Sequence, residues 1–87
     1  MRESVVEQKV VTDAEADGWL VRKCVYLGRR GSPDRWFMKG ARLVLMEFKR
    51  PKKDAEAQQR REHARLAAAG FPVHVVTTYE QGMALLS

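Results

Sequence analysis

The sequence predicts an α/β fold, in which helices flank a mixed four-stranded β-sheet and the elements follow the order α-β-β-β-α-β-α. Two observations support this class. A tight turn joins the second and third predicted strands, which makes them an antiparallel hairpin. A helix separates the third and fourth strands, and such a connection requires a parallel pair with a right-handed crossover. The sheet is therefore expected to be mixed.

The first predicted helix covers residues 4–17 and has the helical period of apolar positions. Ser4 is its expected N-cap. Glu7, three residues later, completes a capping-box pattern, and Gly18 is a stop signal at the other end. About 100° separates neighbouring residues on a helix, so Glu7 falls on the same side as Val10 and Ala14. This position places an acid on the stripe that faces the core.

Strands and turns account for most of the rest of the chain. The predicted strands cover residues 19–27, 34–38, 42–49 and 71–77. Residues 28–33 read as a turn, and residues 39–41 read as a hairpin connection. Pro51 ends the third strand. A second helix is expected from its cap at Asp54 to residue 69, with Gly70 as its stop, and a short third helix covers residues 79–86.

Composition and length indicate one folded domain over residues 1–87, with 45% hydrophobic and 31% charged residues. Cys24 is the only cysteine and lies in an apolar run. It cannot form an internal disulfide, and a buried, inert thiol in a reducing compartment is its ordinary interpretation. No stretch approaches the roughly 20 apolar residues of a membrane span. We therefore expect a cytoplasmic protein with no membrane partner.

Basic residues concentrate in the middle of the chain. Residues 22–65 hold 14 of the 16 lysines and arginines but only 5 acidic residues. Such a distribution favours a surface that binds a polyanion, most commonly nucleic acid. A solvated basic surface is the alternative for any one of these side chains.

The third strand carries the first chemical signal. Alternation along a strand sends Leu45, Glu47 and Lys49 to one face and Met46 and Phe48 to the other. Both faces begin apolar, which predicts an interior strand. One face nevertheless ends in a carboxylate and an ammonium group. These two charges either form a site or lie where the strand emerges into solvent.

Asp34 and Glu7 are candidates to join that site. Asp34 opens the strand that pairs with the Glu47 strand, and hairpin partners lie within roughly 5 Å of each other. Turn chemistry after Pro33 is the alternative role for Asp34. An acid on a core-facing stripe, as Glu7 is, needs a partner, and a metal ion is one such partner. A frayed, exposed first turn is the alternative for Glu7.

Converging carboxylates on a basic surface suit a hard divalent cation, Mg²⁺ or Mn²⁺. Such an ion lowers the pKa of a bound water and neutralises charge on a scissile phosphate. Lys49 would orient that water and stabilise the developing negative charge. His63, expected on the surface of the second helix, and His74, in the last strand, lack metal-ligand spacing. Without the metal, the carboxylates at this end of the core should carry unbalanced negative charge.

The chain resembles a known nuclease pattern. Pro33-Asp34 and, after twelve residues, Glu47-Phe48-Lys49 resemble the PD-(D/E)xK motif. The chain is most similar to the VRR-NUC family within that superfamily, and the resemblance covers nearly its whole length. The other matching segments are residues 3–7, 28–34, 47–51, position 59 and residues 69–73. The resemblance implies a restriction-endonuclease-like core.

The resemblance also implies roles for individual residues. Asp34, Glu47 and the backbone carbonyl of Phe48 would bind the metal, and Lys49 would act on the attacking water. Glu7 is similar to the acid from the N-terminal helix that completes the site. A helix glutamine would steady the site, and the spacing to Leu66 favours Gln59 over its neighbour Gln58.

Stand-alone members of this kind resemble Holliday-junction resolvases and are expected to act as homodimers, because a paired cut across branched DNA needs two sites. The alternatives are the same chemistry on flaps, nicks or duplex DNA, and a non-catalytic DNA-binding module on this fold. Trp19, Trp36 and Phe37 could stack on bases or line a dimer contact, although core packing is favoured. The residues expected to contact DNA phosphates are Arg29, Arg30, Arg35, Arg50, Lys52, Lys53, Arg60 and Arg61.

Overall fold

The elements follow the predicted order α-β-β-β-α-β-α in a computed structural model that describes residues 2–51 and 56–87. Lys52, Lys53 and the expected helix cap Asp54 lie outside the described residues. The elements are α1 (Glu3–Ala16), β1 (Leu20–Lys23), β2 (Arg35–Lys39), β3 (Arg42–Phe48), α2 (Ala57–Ala68), β4 (Val73–Val76) and α3 (Tyr79–Leu85). The predicted fold class is confirmed.

The four strands form one mixed sheet in the order β1-β2-β3-β4. β1 and β2 are antiparallel, as are β2 and β3, whereas β3 and β4 run parallel. Gly40 and Ala41 turn the β2–β3 hairpin with φ angles of 53° and 65°. Positive φ at both positions matches the twist of the flanking strands, although it costs Ala41 some strain. β3 is an interior strand, as its two apolar faces predicted.

One face of the sheet packs against α1 and α3 to form the core. Phe37, Met46 and Phe48 from the strands meet Val10 and Ala14 from α1. α3 lies very close to α1, since a Cβ added at Gly82 would come within 2.8 Å of Val10 Cγ2. The opposite face of β3 presents Leu45 and Glu47, and α2 lies on that side.

Local capping rules placed the start of α1 incorrectly. The helix begins at Glu3 after Arg2, and the Arg2 side chain makes no capping hydrogen bond. Ser4 therefore lies inside the first turn and is exposed, so the predicted capping box does not form. The Glu7 carboxylate bonds to Arg35 instead. At the other end, Gly18 adopts a φ of 90° just past the helix, as predicted.

The first strand is shorter than predicted because its partner is short. β1 pairs with β2 only from Leu20 to Lys23, and Cys24 extends the pairing by one hydrogen bond to Asp34. Val25 and Leu27, expected in the strand, are 69% and 95% exposed. β2 itself is shifted by one residue, since its paired segment begins after Asp34.

The last strand is also shorter than predicted. The backbone N–H of Phe71 still bonds to the Leu66 carbonyl at the end of α2 (2.8 Å), so β4 begins only at Val73. Gly70, with a φ of 98°, makes the turn between them. α2 and α3 each end one residue earlier than predicted.

Aromatic residues divide between core and surface. Trp19 and Phe37 are buried, which confirms their predicted core packing, whereas Trp36 is 40% exposed. Cys24 is a buried free thiol, as predicted. Among the described residues, none of the helices combines the length and apolar character that crossing a bilayer requires.

Candidate active site

β3 carries Glu47 to a buried position on the face that α2 covers. The Glu47 side chain is 2% exposed, while Val44, Met46 and Phe48 fill the core on the other face. The strand therefore does not emerge into solvent at this point. Lys49 follows β3 and remains tied to the sheet, because its N–H donates to the Val76 carbonyl (3.0 Å).

Asp34 lies at the neighbouring strand end. In the β2–β3 register Arg35 pairs with Met46, so Asp34 stands one step further, beside Glu47. Its N–H donates to the Met46 carbonyl (3.0 Å), and its Oδ2 accepts a hydrogen bond from the Phe48 N–H (2.8 Å). The Asp34 carboxylate is thus anchored to β3 rather than serving the preceding turn.

Two side chains contact one oxygen of the Glu47 carboxylate, but its other oxygen has no partner among the described residues. Oε2 lies 3.5 Å from Lys49 Nζ and accepts a 2.9 Å hydrogen bond from Gln59 Nε2. Oε1 is buried and has no hydrogen-bond partner among the described residues. A buried acceptor without a partner is costly, so this oxygen is available to a further ligand.

The electrostatics of the two acids follow from this burial. Burial and the charge of Asp34 raise the pKa of Glu47 to about 7, although Lys49 and Gln59 oppose the shift. Burial also raises the pKa of Asp34, against the lowering effect of the Phe48 N–H, and the charge of Glu7 adds to the rise. Both carboxyl groups are therefore harder to ionise than an exposed acid.

Gln59 rather than Gln58 faces the site. The Gln59 Oε1 accepts from the backbone N–H of Glu56 (3.2 Å) in the capping box that begins α2, and its Nε2 reaches Glu47. Gln58 is exposed and lines a groove beside Arg29 and Arg30. The choice made from the spacing to Leu66 is supported by this geometry.

Glu7 lies near the site without joining it. Its Oε2 accepts a 2.6 Å hydrogen bond from Arg35 Nε, and both side chains are partly buried. Arg35 was expected to contact DNA phosphate, and the structure pairs it with Glu7 instead. Within residues 2–51 and 56–87, no three histidine, cysteine or acidic side chains gather closely enough to hold a metal ion.

The donor set around Glu47 fits a hard cation. Glu47 Oε1 has no partner within the described part of the chain, and the Asp34 carboxylate stands beside it. Carboxylate oxygens are the ligands that Mg²⁺ and Mn²⁺ prefer. Asp34, Glu47 and the Phe48 backbone carbonyl are the groups that could hold such an ion.

The other expected residues have different surroundings. His63 was expected on the surface, which is wrong: it is half-buried, and its covered Nε2 has no partner among the described residues. Burial lowers the pKa of His63. His74 lies in β4, as predicted. Exposed side chains among the residues expected to contact DNA are Arg29, Arg30, Arg50, Arg60 and Arg61, whereas Lys52 and Lys53 fall outside the described residues.

Two polar residues near this region, Tyr26 and Glu62, were not predicted from the sequence. Glu62 of α2 is buried and accepts a 2.8 Å hydrogen bond from the Tyr26 hydroxyl. Burial and this bond raise the pKa of Tyr26 to about 12. Glu62 lies in an otherwise basic helix, and its partner Tyr26 is 36 residues away in the chain. Nothing local in the sequence therefore indicated that Glu62 is buried.

Two known proteins are similar to this chain over most of its length. The chain is 35% identical over 81 residues to "Putative nuclease p44" of Acyrthosiphon pisum secondary endosymbiont phage 1, covering 92% of this chain and 87% of that protein. A solved structure described as a VRR_NUC domain superposes with a TM-score of 0.87 at 32% identity, covering 97% of this chain and 92% of the other. No family model matches the sequence.

The α-β-β-β-α-β-α core and its mixed sheet define a nuclease fold of the PD-(D/E)xK class. Within that class the chain belongs to the VRR-NUC family, as its coverage and identity to the solved VRR_NUC domain show.

Proposed function

We propose that this protein is a metal-dependent DNA endonuclease that hydrolyses phosphodiester bonds. The observation that carries the proposal is the buried Glu47, whose Oε1 has no partner among the described residues while Asp34 and Lys49 stand beside it. Burying a carboxylate oxygen without a partner is energetically costly, and a protein with no catalytic activity would gain nothing from it. Membership of a nuclease family supports the same class of activity.

Mg²⁺ or Mn²⁺ bound by Asp34, Glu47 and the Phe48 carbonyl would lower the pKa of a water and neutralise charge on the phosphate. Glu7 is proposed as a further ligand, which requires its carboxylate to exchange Arg35 for the metal. The donor chemistry supports the choice of cation, because the available groups are oxygens and no thiolate or imidazole is among them.

Lys49 is the proposed catalytic cation. Its ammonium is mostly buried, with 16% of its side chain exposed, and lies 3.5 Å from Glu47 Oε2. At this position it can hold the attacking water by a hydrogen bond and stabilise negative charge that develops on the phosphate. Gln59 is a positioning residue, because its hydrogen bond to Oε2 fixes the direction in which the Glu47 carboxylate points.

The proposed substrate is branched DNA of the Holliday-junction type, cut by a homodimer in the cytoplasm of a bacterium or of a phage-infected host. Two cuts across a branch need two sites, and one chain offers one. Leu20, Trp36 and Leu43 support a second copy, because these apolar side chains are 40–47% exposed on the sheet. Flaps, nicks and ordinary duplexes are the alternative substrates. The proposed DNA contacts are Arg29, Arg30, Arg50, Lys52, Lys53, Arg60 and Arg61, together with Arg35 once the metal has replaced it at Glu7.

A non-catalytic DNA-binding module on the same fold is the competing function. Asp34 and Glu47 argue against it, because ionised acids inside a basic surface would repel phosphate unless a cation lies between them. The arrangement is therefore better suited to cutting DNA than to holding it.

The experiment is cleavage of labelled four-way junction, flap and linear duplex DNA of matched sequence, each with Mg²⁺, Mn²⁺ or EDTA. We expect cutting with either metal, fastest on the junction, and none with EDTA. Absence of cutting on all three substrates would overturn the nuclease proposal, whereas equal rates on all three would overturn only the branch preference. Sizing at micromolar concentration tests the homodimer, and a clean monomer would remove the argument for paired cuts.

A further inference from the structure

A basic groove lies beside α2, on the side of the helix away from Glu47. It has a volume of about 270 Å³ and opens between α2 and the loop that follows β1. Its lining comes from the loop and from one helix face and consists of Arg29, Arg30, Gln58, Arg61 and Arg65. The helical members recur at intervals of three and four residues, so they share a face.

The loop is fixed tightly against α2. Gly31 has a φ of 94°, and a Cβ at this position would lie 2.7 Å from the Gln58 carbonyl oxygen and 3.0 Å from Glu62 Cβ. The loop backbone therefore approaches the helix more closely than any other residue would allow. As a result, Arg29 and Arg30 are held next to the helix instead of extending from a free loop.

The buried Glu62 contacts two of the arginines that line the groove. Its Oε2 accepts from the Tyr26 hydroxyl (2.8 Å), while its Oε1 lies 3.1 Å from Arg65 Nη1 and 3.8 Å from Arg29 Nη1. The Tyr26 and Arg65 hydrogen bonds lower the pKa of Glu62, so this carboxyl stays ionised. The described part of the groove holds four guanidinium groups and one carboxylate, which contacts only Arg29 and Arg65 among them, so a surplus of positive charge remains.

α2 contributes residues both to the groove and to the candidate active site. Gln59 reaches Glu47, while its neighbour Gln58 lines the groove. From Gln58 to Arg65 the helix rises about 10 Å, at 1.5 Å per residue. The helix thus places Arg61 and Arg65 within about 10 Å, along its axis, of the turn that contacts Glu47.

We propose that this groove binds the phosphodiester backbone of the DNA substrate beside the cleavage site. The inference rests on the proposed nuclease function and adds Arg65 and Gln58 to the binding surface, with Glu62 as a positioning residue. Guanidinium groups match phosphate oxygens in geometry and charge. Contacts to phosphate carry no sequence information, so binding here should not depend on the DNA sequence.

The test is the salt dependence of DNA binding, measured by anisotropy with a labelled duplex in EDTA so that no cutting occurs. The main variant is Arg30→Ala with Arg61→Ala, which leaves the Tyr26 and Arg65 bonds to Glu62 in place. Arg22→Ala with Lys23→Ala is the control, because these exposed residues of β1 remove the same charge elsewhere. Near-UV and far-UV circular dichroism check that all variants are folded.

We expect the groove variant to reduce the slope of log Kd against log salt by about 2 and to weaken binding roughly ten- to hundredfold at 0.1 M salt. Two duplexes of unrelated sequence should lose affinity equally, and the control should keep the wild-type slope. An unchanged slope in the groove variant, or an equal loss in the control, would overturn the proposal.

Failure of the groove and failure of the nuclease proposal are distinguishable. If wild type binds DNA with the expected slope change in the variant but never cuts with Mg²⁺ or Mn²⁺, the groove stands and the nuclease proposal fails. If wild type cuts and the groove variant binds and cuts as well as wild type, the groove alone is refuted.

Discussion

Gln59 donates a 2.9 Å hydrogen bond from its Nε2 to Oε2 of Glu47, the buried carboxylate on the neighbouring strand. The same side chain accepts at Oε1 from the Glu56 N–H and so closes the capping box of α2. One glutamine therefore fixes both the start of a helix and the orientation of a candidate metal ligand. Because of this double role, removal of Gln59 should disturb both the start of α2 and the orientation of the Glu47 carboxylate.

Gln59→Ala should reduce the rate of DNA cleavage roughly ten- to hundredfold, the usual effect of removing a residue that orients a metal ligand. Gln8→Ala is the matched control, since Gln8 is an exposed glutamine of α1 that bonds only locally to Thr12. Single-turnover rates at saturating Mg²⁺ and weaker binding of Mn²⁺ in Gln59→Ala would support the assignment. Equal metal affinity and equal rates in both variants would refute it.

Glu47→Gln should stabilise the metal-free protein above neutral pH. The folded pKa of about 7 exceeds the usual 4.5, so wild-type stability falls as the pH rises from about 4.5 through 7. Glutamine has no such titration. The free energy of unfolding of Glu47→Gln minus that of wild type should therefore rise by up to about 3 kcal/mol between pH 5 and pH 8 in EDTA.

The measurement is urea unfolding at a series of pH values. Glu15→Gln, which removes a carboxylate from the exposed side of α1, is the control and should not reproduce the rise. If the free energies of unfolding of Glu47→Gln and wild type change in parallel over this pH range, the raised pKa of Glu47 is refuted.

Removal of Arg35 should strengthen metal binding severalfold, because Arg35 and the metal compete for the Glu7 carboxylate in the proposed site. Calorimetric titration of Mn²⁺ measures the change without DNA. In a Glu7→Gln background the same Arg35→Ala substitution should have little effect, and this double-mutant cycle isolates the competition from the loss of charge. A gain that persists without Glu7 would show that Glu7 is no ligand.

Gly31→Ala should destabilise the protein by about 2–4 kcal/mol, since the new methyl group would meet the Gln58 carbonyl at 2.7 Å in a backbone conformation with φ of 94°. Gly28→Ala is the control: its φ is 71°, and a Cβ there meets nothing within 4 Å. That variant should lose only about 1–2 kcal/mol from backbone strain. Equal losses in chemical denaturation would contradict the close packing of the loop on α2.

Much of the site could be predicted because it depends on short-range rules. Strand alternation places Glu47 and Lys49 on one face, and hairpin pairing brings Asp34 beside Glu47. Neither rule needs knowledge of the full fold. The glutamine of the second helix was implied by the resemblance to the VRR-NUC family, and the spacing to Leu66 favoured Gln59 over Gln58.

The remaining features depend on how distant elements pack. Glu7 and Arg35 are 28 residues apart, and only the rotation of α1 against β2 brings them together. Glu62 and Tyr26 are likewise brought together by the docking of the loop on α2. At Ser4, by contrast, a local rule gave the wrong prediction. The helix starts before Ser4, so the expected capping pattern does not form.

The most direct test of metal-dependent cleavage compares wild type with Lys49→Ala in a single-turnover assay on a labelled four-way junction, with Mg²⁺ and with EDTA. Lys49 is the proposed catalytic cation and lies beside the carboxylate that would bind the metal. We predict cleavage by wild type with Mg²⁺, loss of at least a hundredfold in Lys49→Ala, and no cleavage by either protein in EDTA. Equal rates for the two folded proteins, or wild-type cleavage that persists in EDTA, would contradict the account.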